Sequence, residues 1–156
     1  MTLALKVNGK SHDVEAEPDT PLIYVLRNDL ALNSPRFGCG LAQCGSCTVL
    51  IDGKPALSCV TAAGRAAGAD IVTLEGLGSP DRLHPLKQAF IAEQAAQCGY
   101  CTPGIIMRAL DLLTRNPHPR EQDLREALAG NLCRCGAHDR VIRAVLRAAR
   151  VMEKGP

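Results

Sequence analysis

The sequence predicts an α+β fold in two unlike parts, and three observations carry that expectation. Short runs rich in apolar and β-branched residues, joined by the turn signals Asn8-Gly9 and Asp52-Gly53, fill the first 75 residues. A glycine-rich segment from Phe37 to Cys47, holding three cysteines, interrupts those runs. From Leu86 onward the apolar residues recur instead at helical spacing, between helix-start and helix-stop signals. The expected division is residues 1–75 for the sheet part, 76–85 for a linker where Gly, Ser, Pro and Asp dominate, and 86–156 for the helical part.

In the first part, Leu3 to Val7 alternates apolar and polar residues, and Ser11 to Ala16 returns as the second strand of a hairpin. Asp19-Thr20-Pro21 reads as an N-cap followed by proline at the first helical position. Leu22, Ile23, Val25, Leu26 and Leu30 then mark the buried stripe of a helix of about ten residues. A hairpin, a helix and then a metal loop make a β-grasp opening. After the loop, Cys47 to Ile51 and Lys54 to Cys59 form a second hairpin, and Ile71-Val72-Thr73-Leu74 adds one short strand.

In the second part, Leu86, Ala89 and Phe90 begin a helix that ends near Gln97. Thr102-Pro103 caps the next helix, which runs through Leu113. Asn116-Pro117-His118-Pro119 breaks the chain, Glu121 to Ala129 forms a short third helix, and Gly130 stops it. A fourth runs from about Asp139 to Met152 with Val141, Val145, Ala148 and Met152 on one face. Four helices with short connections make a helical domain.

The chain of 156 residues is long enough to bury a core as one domain or two small ones. With no Trp, two Phe and two Tyr it lacks the aromatic platforms on which single-stranded nucleic acid stacks. No run of 18 apolar residues is present, so no direct membrane span is expected. The opening Thr2-Leu3-Ala4-Leu5-Lys6-Val7 has no export signal, which places folding in the cytoplasm, with a periplasmic or membrane-associated location only if a partner carries the chain there. Eight cysteines in such a chain favour metal ligation over disulfides. There is no P-loop, no complete G-x-G-x-x-G and no G-x-S-x-G, and the fragment Gly76-Leu77-Gly78 reads as linker. No catalytic residue is therefore assigned within the chain.

Cys39, Cys44 and Cys47 follow the spacing C-x4-C-x2-C, with Cys59 beyond a gap of eleven residues. That is the plant-type [2Fe-2S] ferredoxin pattern. The second hairpin explains the gap, because it carries Cys59 back to the end where the loop sits. Gly38, Gly40 and Gly45 suit a backbone that wraps closely around one small object. Structural zinc, disulfides and plain burial are the competing readings; zinc more often takes two C-x2-C knuckles.

Cys98 and Cys101 form a C-x2-C pair, and Cys133 and Cys135 a C-x-C pair, with 31 residues between the pairs. Each pair sits at a helix–helix junction, so an antiparallel bundle would bring both to one end. By themselves these four fit a [2Fe-2S] cluster or structural zinc, and His138 is an alternative ligand. If both groups hold oxidised clusters, each with a charge of −2, the formal charge falls from +2 to about −2. The apparent basicity is then no argument for a nucleic-acid or phospholipid partner.

The segments Arg36 to Cys47, Gln97-Cys98-Gly99-Tyr100-Cys101-Thr102-Pro103-Gly104 and Gly130-Asn131-Leu132-Cys133-Arg134-Cys135-Gly136 resemble the small iron–sulfur subunit of the molybdenum hydroxylases, the xanthine dehydrogenase superfamily. The resemblance runs from the first strand to the last helix. It implies a β-grasp, plant-type ferredoxin-like domain followed by a four-helix domain, each with a [2Fe-2S] cluster. It further implies a large partner subunit that holds a molybdenum-pterin cofactor and performs the chemistry. Electrons would leave to a flavin (FAD) subunit or a c-type cytochrome with haem c. Gln97 matches the glutamine that hydrogen-bonds the pterin, and the cluster held by the C-x2-C and C-x-C pairs is implied to lie nearer the molybdenum.

Many family members follow the C-R-C pair with Thr-Gly-Tyr, where this chain has Gly136-Ala137-His138. That variant is similar to the nicotinate and isoquinoline dehydrogenase branch, which points to an N-heteroaromatic compound or an aldehyde as substrate rather than a purine. Two other readings belong to different classes: a zinc-stabilised interaction module, and a free-standing ferredoxin. Arg36 and Arg134, beside ligand positions, are candidates for tempering cluster charge.

Overall fold

The computed structural model describes residues 1–155. Its first half is a five-stranded sheet: β1 (Thr2–Val7), β2 (Lys10–Glu15), β3 (Thr48–Ile51), β4 (Lys54–Leu57) and β5 (Asp70–Val72), in the order β2-β1-β5-β3-β4. β1 and β5 run parallel and the other neighbours antiparallel. Both expected hairpin turns form, with Asn8 and Gly9 at φ 51° and 78°, and Asp52 and Gly53 at 49° and 75°. Positive φ at both central residues is what a type I′ turn demands.

The first helix departs from expectation. α1 is only Leu22–Tyr24 and widens into a π turn over Val25–Asp29, closed by the Leu30 N–H on the Val25 carbonyl. Thr20 does not cap it; Pro21 occupies the N-cap, and no side chain caps the end. The carbonyl of Thr61 accepts the Leu22 N–H at 2.7 Å instead. A tertiary contact thus satisfies the orphan donor that a cap would otherwise take. A second short helix absent from the sequence expectations, α2 (Ala63–Ala66), buries Ala63 and Ala66 beneath the sheet.

The second half contains four helices, α3 (Pro85–Ala92), α4 (Thr102–Arg115), α5 (Glu121–Ala127) and α6 (His138–Glu153). α3 starts one residue earlier than the apolar pattern indicates, because His84 caps it and Pro85 takes the first position. It ends five residues short of Gln97. Gln94 adopts φ 49°, the Ala95 N–H bonds the Phe90 carbonyl and the Gln94 N–H bonds the Ile91 carbonyl. This is a Schellman stop with a non-glycine at the left-handed position, which left no glycine for the sequence to reveal. At α4 the N-cap is Cys101, so Thr102 and Pro103 are the first two helical residues rather than cap and first residue.

The halves share a core through β3. β1 alternates exposed and buried residues, whereas Thr48, Val49 and Leu50 are all buried. Val49 packs with Leu5, Leu22, Leu26 and Ile71 on one face, and Leu50 joins Leu86, Ile105, Leu112 and Val145 on the other. A strand covered on both faces loses the alternation of a half-exposed one. Residues 76–85 are tied down as well: Leu77 is buried in the helical core, and Gly78 bridges Leu83. Glu75 accepts from the N–H groups of Asn33 and Ser34 and from the hydroxyls of Ser34 and Thr73, which pins the end of β5 to the start of the cysteine loop.

Candidate metal centres

The cysteine loop is closed at its neck by the Arg36 N–H on the Ser46 carbonyl at 3.2 Å. Inside it the backbone turns its donors inward. The N–H groups of Leu41 and Gln43 reach Cys39 Sγ at 3.3 and 3.2 Å, and the Cys39 N–H reaches Cys44 Sγ at 3.4 Å. The Leu41 and Gln43 donors lower the Cys39 thiol to about 7. Space here is reserved for sulfur: a Cβ on Gly38 would stand 2.6 Å from Cys44 Sγ. Ala42, at φ 60°, accepts a conformation that side chains disfavour, to keep the loop wrapped.

Cys47 and Cys59 form the inner edge of the same set, buried against Ile23. Burial first, and Cys59 beside it, push the Cys47 thiol up to about 11. Without a cation the Cys47 sulfur stays protonated at neutral pH. A buried thiolate is tolerable only where a metal supplies the compensating charge.

The second set is assembled from two distant segments. Cys98 and Cys101 flank the start of α4, and Cys133 and Cys135 lie between α5 and α6. Cys98 is exposed and lies within hydrogen-bonding reach of Cys135; the Tyr100 N–H first, and Cys135 second, lower its thiol. Cys101 lies against Cys133, and burial together with that neighbour raises it to about 12. At Cys133 burial pushes upward, but the N–H of Ala137, the Cys101 thiol and the N–H groups of Cys135 and Gly136 outweigh it, so the net shift is down.

In both sets the thiols stand in pairs, Cys39 with Cys44 and Cys47 with Cys59, then Cys98 with Cys135 and Cys101 with Cys133. Thiols standing in pairs suit a binuclear core, in which each iron takes two thiolates. One zinc would draw four sulfurs to about 2.3 Å of a common point. His138 turns its Nε2 to the Asn131 carbonyl at 2.8 Å. Gln97 is exposed in the irregular stretch next to Cys98.

Other residues at these sites escaped the sequence reading. Gly104 in the first turn of α4 lies so near the cysteine loop that a Cβ would stand 2.2 Å from the Gly45 oxygen. A glycine inside a helical pattern, directly after a ligand pair, was the available signal. Asn131 lay inside the motif Gly130 to Gly136 with no contact assigned to it, and Glu75 gave no signal, since a lone Glu in a turn-rich segment is ordinary. Arg36 lies over the Tyr100 ring at 5.2 Å, and Tyr24 stacks on Phe37 with centroids 5.9 Å apart, so the surface beside the loop gathers three of the four aromatics.

A β-grasp sheet and a helical bundle, each presenting four paired thiols ringed by backbone donors, define an iron–sulfur protein with two [2Fe-2S] centres. Residues 5–68 match the family described as 2Fe-2S iron-sulfur cluster binding domain, and residues 73–146 that described as [2Fe-2S] binding domain. The chain is 57% identical over 153 residues to a nicotinate dehydrogenase subunit from Pseudomonas putida, covering 98% of each. It is 47% identical over 145 residues to the alpha subunit of isoquinoline 1-oxidoreductase from Brevundimonas diminuta, covering 92% of this chain and 95% of that one. Quinoline 2-oxidoreductase from Pseudomonas putida superposes with a TM-score of 0.94 at 38% identity, over 99% of this chain and 97% of the other. Aldehyde oxidoreductase from Desulfovibrio desulfuricans gives 0.94 at 43% identity, over 98% of this chain but 17% of that longer one. The chain belongs to the iron–sulfur subunits of the molybdenum hydroxylases, the xanthine dehydrogenase superfamily. Matches described by [2Fe-2S] binding in both halves replace the structural-zinc reading. Among the described residues no helix is long and apolar enough to cross a membrane.

Proposed function

We propose that this chain relays single electrons from the molybdenum-pterin site of a large partner subunit to a flavin subunit or a c-type cytochrome. Cys98, Cys101, Cys133 and Cys135 hold the entry centre, and Cys39, Cys44, Cys47 and Cys59 hold the exit centre. The functional units are 1–75 and 86–156, joined through 76–85. The observation that carries the direction is the exposure of Cys98 with Gln97 beside it, which lets the helical centre meet a partner's cofactor at the surface. Gln97 is assigned to the pterin as an amide donor and acceptor.

A bound [2Fe-2S] core takes up and gives up one electron, with a potential set by charge, hydrogen bonds to sulfur and exposure. The chain's residues set those terms. The N–H groups of Leu41 and Gln43 on Cys39, and of Ala137 on Cys133, offset the added negative charge. The substrate, oxidised on the partner, is an N-heteroaromatic compound or an aldehyde; nicotinate, isoquinoline and aldehyde enzymes are among the relatives. Assembly takes place in the cytoplasm.

Co-purification with the large subunit, followed by metal and sulfide analysis, tests the reading. The expected result is four iron and four acid-labile sulfide in this chain, molybdenum in the partner, and loss of acceptor reduction in Cys98→Ser while substrate still reduces the molybdenum site. Two zinc without sulfide, or full acceptor reduction in Cys98→Ser, would overturn it.

A further inference from the structure

The two thiol sets touch through one seam. The N–H of Leu132, the residue before Cys133, donates to the carbonyl of Cys44 at 2.9 Å. Beside it, Asn131 Nδ2 donates to the carbonyl of Gly45 at 3.2 Å, and the Asn131 carbonyl is held by His138 Nε2 at 2.8 Å. Gly45 itself is gripped from two sides. A Cβ on Gly45 would stand 2.5 Å from Asn131 Nδ2, and one on Gly104 would stand 2.2 Å from the Gly45 oxygen. The loop residue after Cys44 is therefore clamped between the segments that carry Cys101 and Cys133.

Asn131 is 2% exposed, and its Oδ1 finds no hydrogen-bond partner among the described residues. Buried polar atoms are rarely left unpaired. The side chain's contribution thus lies in the donor it directs at Gly45, not in a saturated network. A second link between the halves, from the Tyr100 hydroxyl to the Phe37 carbonyl, is longer as a conduit. It traverses a phenol ring and meets the chain two residues before Cys39. The seam joins Cys44 to Cys133 through one hydrogen bond and the backbone of one residue.

We infer that the hydrogen bond from the Leu132 N–H to the Cys44 carbonyl is the route of electron transfer between the centres, with Asn131 and His138 as the positioning residues that hold it at length. The inference rests on the relay proposed above. One electron leaves the helical centre, which is oxidised, and enters the loop centre, which is reduced; no proton moves and no bond is made.

The test injects one electron by pulse radiolysis into the full chain with both clusters loaded, and follows equilibration between the centres. Leu132→Pro deletes the N–H and is expected to slow equilibration by about tenfold or more, the scale on which a lost positioned contact acts. Both midpoint potentials stay in place, and the magnetic splitting between the two reduced centres in EPR shrinks. Leu132→Ala, which keeps the N–H, restores the rate. An unchanged rate in a fully loaded Leu132→Pro overturns the inference while the relay stands; absence of equilibration in the wild type sinks the relay itself. Where Leu132→Pro fails to load, the decision passes to Asn131→Ala against Tyr100→Phe. Slowing in Asn131→Ala alone supports the seam, and any other pattern overturns it.

Discussion

The two metal-binding regions solve one problem in opposite ways. The loop from Arg36 to Cys47 supplies three thiols and several inward-facing donors from consecutive residues, so most of the site is fixed by local backbone geometry. The helical set draws two pairs from segments 31 residues apart, and only the packing of α3 to α6 brings them together. A site of the first kind tolerates loosening of its surroundings; one of the second kind is only as firm as the core beneath it.

Deleting one ligand on each side separates the two designs most strongly. Cys101→Ser is expected to lose the helical centre and half the iron while the loop centre keeps its EPR signal, and Cys44→Ser the reverse. Loss of all iron in Cys101→Ser would show that the loop cannot hold its cluster alone.

A smaller effect comes from the core. Leu124 is fully buried in the helical cluster. Leu124→Ala should destabilise by about 2–5 kcal/mol in thermal or denaturant unfolding. The helical centre should bleach first on warming, while Val49→Ala, on the opposite face of β3, should spare it. Simultaneous bleaching in both variants would mean that the shared strand makes one cooperative unit.

Glu75 tests the tie between sheet and loop. Burial opposes its ionisation, but the bonds from Ser34 and Thr73 outweigh that and keep its carboxyl below the ordinary 4.5. A depressed carboxylate gives stability that is present above its unfolded value and is lost as pH falls through the folded one. Glu75→Gln should therefore cost about 1–3 kcal/mol at pH 7 and flatten the acid limb of the stability profile below about pH 4.5. An unaltered acid limb would remove Glu75 from that role.

The smallest effect is read in the metal-free chain. With Cys39 near 7 and Cys47 near 11, iodoacetamide should label Cys39 first. From pH 6 to 8 its rate should rise about tenfold, following the thiolate fraction, while Cys47 stays unlabelled. Peptide mass spectrometry gives both rates, and equal labelling would deny the loop its preformed donors.

Much of this was legible from residues. Asn8-Gly9 and Asp52-Gly53 fixed two hairpins because type I′ turns admit few other pairs, and all eight cysteines stood out by spacing. Less legible were the ends of α1 and α3. The Thr61 carbonyl replaced a side-chain cap at one, and Gln94 took a left-handed stop that propensity assigns to glycine at the other.

Residue order was enough to specify the class of the first centre, because three closely spaced thiols with a distant fourth restrict which metal core can be wrapped, whereas the C-x2-C and C-x-C pairs by themselves left zinc open. Folding in three dimensions settled which thiol stands beside which, that β3 is buried on both faces, and that Gly45 lies between Gly104 and Asn131. Contacts between residues far apart in the chain depend on how whole helices and strands pack, and no local pattern encodes that distance.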